Sequence, residues 1–386
     1  MKGLRTWIEV DKNAIAQNYK TFRGLIGNDR RLMAVVKSNA YGHGLIGFSK
    51  EAQKLGVDWF GVDSVVEAIA LRKSGIKKLI LVLGHTLPER LEEAVRQDIS
   101  LTVSSFDALR NLKNFRLAVP RRSFTRRGAM SKDLKIHLKI DTGMHRQGFF
   151  INDLPEVVSF LKKSPKIEIE GIYTHFAAAK NPTFPRDTNR QIEEFKKAVK
   201  VIEDGGFKSI KHAAATSGTI IFPSSHFDMV RIGIGLYGLW PSSEVRSAFS
   251  NKVKLAPVLS WKTIIGEIKD IKKGEGVGYD FTERLKLNSR IAILPSGYWH
   301  GYPRALSSVG QVLIRGQRAK VLGRVSMDMT VVDVTNIKDA KIGDAVTLIG
   351  KDGGREITAD ELAELSGTIN YESITRINPL IERVYV

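Results

Sequence analysis

A lysine that closes an apolar run and opens a glycine-bearing turn is poorly placed for core packing and well placed for covalent chemistry. Lys37 stands so in AVVKSNAYGHG (34–44). If the run is a strand ending at a pocket, desolvation lowers the amine's pKa and favours Schiff-base formation with a carbonyl compound. Taken alone, the commoner fate of such a lysine is to reach into solvent. Gly233, Gly235 and Gly238 satisfy G-x-G-x-x-G, which invites a dinucleotide reading. Trp240 and Pro241 follow in place of a full helix, and no acid stands near twenty residues beyond, so the βαβ context is missing. The chain has no cysteine, which excludes a thiolate nucleophile, a disulfide framework and a zinc-thiolate site; no metal is expected.

Positioning Lys37 requires elements around it. The runs LMAVV, WFGV, LILVL, SLTV, IHLKI, IEGIYTHF, SIKHAAA and DMVRIGI alternate with helix-like stretches between Leu32 and Tyr237. Asp11 is a plausible N-cap, Pro88 opens LPERLEEAVRQ, and Asn189 to Glu203 spaces Ile192, Phe195, Val199 and Ile202 at helical intervals. Eight strands over about 230 residues suit a (β/α)8 TIM-type barrel, with its active site at the C-terminal ends of the strands. After Pro241 the runs WKTIIGEI, RIAILP, QVLIR, TVVDV and AVTLIG predict a mostly β domain, with a short helix over Asp360–Ser366 and a strand over Ile381–Val386. The expected α/β organisation is therefore a barrel over 11–240 and a β domain over 241–386, which strand 4–10 joins.

Much of the excess behind the formal charge of +19 is dispersed, but one segment gathers Arg116, Arg121, Arg122, Arg126, Arg127, Lys132 and Lys135 against the single acid Asp133. Without interleaved aromatics this segment reads as a solvated basic loop, and no nucleic-acid partner is expected. The first thirty residues lack a signal-like apolar run and no stretch is long enough to span a bilayer, so a soluble cytoplasmic protein with no membrane contact is expected.

Beyond AVVKSNAYGHG the chain contains HLKIDTGMHRQGF, GIYTHFA, HAAATSGT, VRIGIGLYG, GEGVGYD, LPSGYWHGYPR, GRVSMDM and TINYES. In this order and spacing, over essentially the whole length, the set resembles the alanine racemase family. The resemblance implies a barrel that binds pyridoxal 5′-phosphate, fused to a β domain, in a head-to-tail homodimer with shared active sites. It implies interconversion of L- and D-alanine, supplying D-alanine for peptidoglycan.

By the same resemblance Lys37 carries the cofactor and serves the D face of the substrate, while Tyr279 of the partner chain serves the L face. Tyr41, Thr216, the backbone of Gly233 and Ile234, and Tyr371 match the phosphate ligands. Arg231 matches the arginine facing the pyridine nitrogen, and His175 the histidine linking it to the catalytic tyrosine. A guanidinium keeps its protons, so the ring nitrogen stays unprotonated and side reactions such as transamination are restrained. Arg146 matches the arginine that contacts the substrate carboxylate, and Lys139 a lysine that is often carbamylated and orients that arginine. Met327 and Asp328 match partner-chain residues at the site mouth, and Tyr298 a tyrosine that narrows the entrance.

Several positions depart from the family pattern: Ala215 replaces Asn, Thr216 Ser, His145 Gly, Ser326 Cys, and Trp299-His300 stand for Ala-Asp. Competing readings are a serine or broad-specificity racemase, against which the bulk of Tyr371 argues, and a basic-amino-acid decarboxylase, which depends on a cysteine this chain lacks. A non-catalytic carrier of the cofactor or a polyanion binder would have no use for the β domain with Tyr279 and Met327.

Overall fold

The computed structural model describes residues 3–115 and 134–386. They divide into two compact units, one of Ile15–Ser38 and Leu45–Ala256, the other of Met1–Ala14, Asn39–Gly44 and Pro257–Val386. Strand β1 (Thr6–Val10) belongs to the smaller unit. The larger holds β2 (Arg31–Val35), β3 (Trp59–Val62), β4 (Leu79–Val82), β5 (Ser100–Val103), β6 (Leu134–Lys139), β7 (Ile167–Tyr173), β8 (Ile210–His212) and β9 (Met229–Ile232).

These eight strands are all parallel, in the order β8-β7-β6-β5-β4-β3-β2-β9. Main-chain bonds from Asp228 N–H to Lys211 C=O (3.0 Å) and Arg231 N–H to Ala214 C=O (2.9 Å) join the two ends of the sheet. This is the expected barrel. Where both faces are covered the strands read as near-continuous apolar runs: every residue of β3, β5 and β9 is buried, whereas β7 (IEIEGIY) begins as an alternation with Glu168 exposed. Met33, Trp59, Leu81 and Met229 meet in one buried cluster, each side chain contributing about 1.5–3 kcal/mol of burial. Helix Arg186–Asp204 turns Ile192, Phe195, Ala198, Val199 and Ile202 inward. Asp11 Oδ1 accepts from the N–H groups of Asn13 (2.7 Å) and Ala14 (3.0 Å), capping helix Lys12–Ile26. Pro88 opens a 3-10 turn, and the α-helix proper is Leu91–Arg96.

In the smaller unit β1 lies between β10 (Leu259–Ile264), antiparallel, and the strand Glu382–Tyr385, parallel. WKTIIGEI, which reads as one run, is two strands: β10 alternates buried and half-buried residues in this sheet, while Glu267–Ile271 joins a second sheet with Ser289–Leu294 and Thr330–Asp333. The chain turns at Gly266, where a strand-like pattern continues without a break in hydropathy. Strands Gln317–Lys320 and Arg355–Ile357, the hairpin of Gly276–Val277 with Glu283–Arg284, and helix Asn370–Thr375 had no sequence signal of their own.

The basic segment 116–135 lies outside the described residues apart from its last two; of these, Lys135 pairs with Asp98 at 2.8 Å. Among the described residues no helix is long and apolar enough to cross a membrane.

Candidate active site

Parallel closure brings the C-terminal ends of β6 to β9 together, and with them Lys139, Tyr173, His212 and Arg231. Arg231 is 3% exposed. Its terminal nitrogens meet five acceptors: His212 Nδ1 (3.0 Å), His212 C=O (3.0 Å), Thr174 C=O (2.7 Å), Ala213 C=O (2.8 Å) and His175 Nδ1 (3.3 Å). Among these bonds none is made by Nε–H, which leaves one directed donor for a further acceptor. Burial brings the guanidinium down to about 10, still far above neutrality.

Because a guanidinium only donates, His175 and His212 present unprotonated Nδ1 atoms to it and hold their protons on Nε2. Both rings are neutral: burial first, then the charge of Arg231, hold their pKa values well below the ordinary histidine range.

Lys139 is 6% exposed, with its ammonium 4.2 Å from the Tyr173 ring centroid. Among the described residues no carboxylate stands within ion-pairing distance of it or of Arg231. Burial, then Arg231 and Arg146, push the Lys139 amine well below its ordinary range. A buried cation cluster without an anion is unfavourable; the neutral amine relieves it. Tyr173 completes this group, stacked on His212 at 4.7 Å and bonded to Thr102 at 2.8 Å.

Lys37 is held differently. It follows β2, its side chain is 39% exposed, and it forms an ion pair with Asp63 at 3.4 Å. After it Ser38, Asn39, Ala40 and Tyr41 all have φ between 51° and 56°, a left-handed turn that costs roughly 1–2 kcal/mol per non-glycine residue. Glu67 accepts the Ser38 N–H at 2.7 Å. Within the smaller unit Arg383 Nε–H donates to Gly42 C=O (3.0 Å), and the Tyr385 hydroxyl stands 2.9 Å from His43 C=O. Gly42 is obligatory, since a Cβ there would lie 2.1 Å from Ile374 O. No sequence pattern announces a left-handed turn through four non-glycine residues.

Thr216 is buried, and its hydroxyl accepts the Gly235 N–H at 3.3 Å. A Cβ at Gly235 would meet Phe22 at 2.3 Å, so glycine lets this loop close on Thr216. Ala215 precedes helix Thr216–Ile221 and supplies no side-chain cap, leaving first-turn N–H groups available to an anion. Asp141 Oδ1 gathers the N–H groups of Gly143, Met144 and His145 at 2.9–3.1 Å and shapes the turn before Arg146, which is exposed. His145 has φ 54°, which accounts for the family's preference for glycine there.

Tyr41, Tyr279, Tyr298, Met327, Asp328 and Tyr371 belong to the smaller unit. Tyr41 and Tyr371 approach to 6.2 Å between ring centroids; burial raises both phenols, that of Tyr41 to about 12. Tyr279 is 68% exposed at the tip of the 276–284 hairpin, and the next two residues, Asp280 and Phe281, have φ of 58° and 47°. Met327 and Tyr298 are also exposed. The Tyr298 and Trp299 N–H groups bond Ser326 C=O (3.0 Å) and Met327 C=O (2.9 Å), so the entrance turn and the Met327 loop are fastened together. Trp299 points outward, while His300 is buried and its Nδ1 accepts the Gly297 N–H at 3.2 Å. Tyr173 and His212 were not singled out in the sequence, although each lies inside a quoted motif.

Residues 10–241 match the family described as alanine racemase, N-terminal domain, and residues 258–385 match alanine racemase, C-terminal domain. The chain is 39% identical to the alanine racemase of Symbiobacterium thermophilum, covering 100% of this chain and 98% of that one. It is 37% identical to that of Methanococcus maripaludis, covering 98% of each. Among solved structures it superposes on alanine racemase from Clostridium difficile 630 with a TM-score of 0.91 at 32% identity, covering 100% and 97% of the two chains. For the Bacillus anthracis enzyme with bound L-Ala-P the TM-score is 0.90 at 35% identity, covering 99% and 95%.

Proposed function

The chain belongs to the alanine racemase family, and from that membership we propose that it interconverts L- and D-alanine with pyridoxal 5′-phosphate, using Lys37 and Tyr279 on opposite faces of the substrate. The observation that carries this reading is the free direction of Arg231: four guanidinium protons are taken by protein acceptors and Nε–H is left for a ring nitrogen. Lys37 supplies a partly solvated amine able to bind a carbonyl carbon, and the Thr216–Gly235 closure with uncapped N–H groups at Ala215 suits a phosphate. The residues therefore fit the cofactor.

When bound, pyridoxal 5′-phosphate withdraws electrons from the substrate's α-carbon and acidifies its proton. Lys37 then takes or returns that proton on the D face and Tyr279 on the L face. Arg231 donates to the ring nitrogen without protonating it, which restrains the electron sink and disfavours transamination. His175, neutral and protonated on Nε2, is set to donate to the Tyr279 oxygen and favour its anion. Tyr41, Thr216, Gly233, Ile234 and Tyr371 hold the phosphate. Arg146 binds the substrate carboxylate, Met327 and Asp328 line the mouth, and Tyr298 narrows it.

Lys139 is proposed to be carbamylated. A neutral lysine amine attacks carbon dioxide, forms the N–C bond and releases a proton, and the resulting anion compensates Arg146 and Arg231. Intact-mass analysis in bicarbonate buffer should show one added carbon dioxide, lost in Lys139→Ala; an unchanged mass excludes the modification.

Tyr279 is proposed to act in the site of a second copy, in a cytoplasmic homodimer that feeds D-alanine to peptidoglycan synthesis. Its exposure on a strained hairpin supports this. Deuterium wash-in separates the roles: in Tyr279→Phe, exchange from L-alanine should collapse by more than about a hundredfold, roughly 2.7 kcal/mol of barrier, while D-alanine still exchanges through Lys37. Equal residual exchange from both enantiomers would sink the two-base assignment. Mixing Tyr279→Phe with Lys37→Ala should restore part of the activity in hybrid dimers, and no rescue despite subunit exchange would remove the shared site.

A further inference from the structure

Behind Arg231 stands a line of buried side chains that none of these roles uses. His212 Nδ1 is 3.0 Å from Arg231 Nη1, His212 Nε2 is 2.8 Å from His137 Nδ1, and His137 Nε2 is 3.6 Å from Glu170 Oε2. The Ser100 hydroxyl donates to the same Glu170 oxygen. Neither His137 nor His212 has any exposed surface. Trp59 packs edge-to-face with the His137 ring at 5.1 Å and Tyr173 stacks on His212 at 4.7 Å, which fixes the planes of both imidazoles.

The donor rules leave one assignment. Arg231 donates, so His212 Nδ1 accepts and His212 carries its proton on Nε2. That proton lies on the line to His137 Nδ1, which must accept it. His137 is then protonated on Nε2, facing the carboxylate. A doubly protonated His137 would set its Nδ1–H against the His212 Nε2–H, and reversing His212 would set its Nδ1–H against the guanidinium. Burial, opposed by Glu170 and reinforced by Arg231, keeps His137 below the ordinary histidine range. Burial alone would raise Glu170, but His137, Ser100 and Lys135 outweigh it and keep the carboxylate ionised.

We infer that His212, His137 and Glu170 are positioning residues for Arg231: hydrogen bonds run in one direction from the guanidinium through His212 to His137, whose Nε2 makes no hydrogen bond among the described residues and faces the half-buried Glu170 carboxylate across 3.6 Å as an electrostatic contact. Among the described residues Arg231 has no carboxylate within ion-pairing distance, and Glu170 serves as its counter-charge at a distance. The two polarised rings transmit that charge as a stronger acceptor at His212 Nδ1. They also fix the rotation of the guanidinium about its axis, and so the direction of Nε–H. The inference rests on the reading of Arg231 as the donor to the cofactor ring.

Neutron diffraction from the deuterium-exchanged, cofactor-loaded enzyme reads the chain directly. Deuterium should be on Nε2 alone in both His137 and His212; deuterium on Nδ1 of either, or on both nitrogens of one ring, overturns the ordering. This map does not depend on which amino acid is racemised, so its failure is distinct from failure of the alanine reading. Glu170→Gln keeps an acceptor for His137 and removes the charge. It should lower kcat by about 10-fold, within the range for outer partners of active groups, with KM for alanine within a few-fold. Pyruvate released per racemisation should rise severalfold as Arg231 loses its orientation. A fall in kcat with an unchanged pyruvate ratio, or no change at all, overturns the positioning role. Should Glu170→Gln fail to fold, Ser100→Ala weakens the same carboxylate and carries the same two measurements.

Discussion

The ends of β6 to β9 and the 276–284 hairpin both present groups proposed to act in the reaction, Arg231 toward the cofactor and Tyr279 as a base, and they are built in opposite ways. Arg231 is enclosed and bonded to five acceptors from the ends of β7 and β8, with neutral histidines on either side. Tyr279 sits in solvent, on a turn whose next two residues are left-handed and whose flanking strands are two residues each. The first region is specified by the chain's own interior, so its geometry and the fold's stability are the same quantity. The second is specified by what it meets, and its chemistry is separable from stability.

Changing Arg231 should break both at once. Arg231→Lys cannot reproduce the fork and leaves buried carbonyls at Thr174, His212 and Ala213 short of donors. It is expected to cost about 3–5 kcal/mol in unfolding free energy, as for a broken buried charge network, and racemisation should fall by more than about a hundredfold. Denaturant unfolding measures the first; a loss below about 1 kcal/mol would mean that the interior is less determined than its contacts indicate.

Acid should act on the barrel end before the hairpin. His137 and His212 have folded pKa values below their unfolded value of about 6.5. Below that pH the unfolded chain binds protons that the folded chain refuses, so stability falls as pH decreases. The slope is at most about 1.4 kcal/mol per pH unit for each such histidine, until the folded group itself titrates. His43, lowered by burial to about 4, adds a group of the same sign in the smaller unit. Urea midpoints at pH 7, 6 and 5 check the slope, and a flat profile would show that these rings are charged in the folded state. The smallest effect belongs to Tyr279→Phe, whose unfolding free energy should stay within about 0.5 kcal/mol of the parent. A larger loss would tie the hairpin to the fold.

The barrel strands were legible from their regular alternation with helix-like stretches and, in β3 and β4, from the unalternated apolar runs that burial on both faces leaves, and Lys37 because it closes such a run. The β domain was less legible where a strand changes sheets without changing hydropathy, as at Gly266, and where a strand is too short to carry a period, as at Gly276–Val277. His137 and His212 are 75 residues apart, and only barrel closure brings their nitrogens together, so no local pattern could have joined them. The left-handed turn after Lys37 is likewise imposed from afar: within the smaller unit Ile374, Arg383 and Tyr385 close on Gly42 and His43. For His145 the departure from the family's glycine was visible in sequence, and the structure supplies its meaning as a positive φ.

Strand β1 lies between two partners, β10 and Glu382–Tyr385, that are made more than 240 residues after it. The barrel strands fall within residues 31–232 and need nothing from the last third of the chain to pair. During synthesis at about 5–20 residues per second, β1 therefore waits tens of seconds with both edges open while the barrel assembles behind it. An open strand of this kind is a site for wrong pairing. Glu9 and the two lysines and arginine of MKGLRTWIEVDK give the waiting segment charge on both sides of TWI, the feature that keeps such edges apart until the proper neighbours emerge.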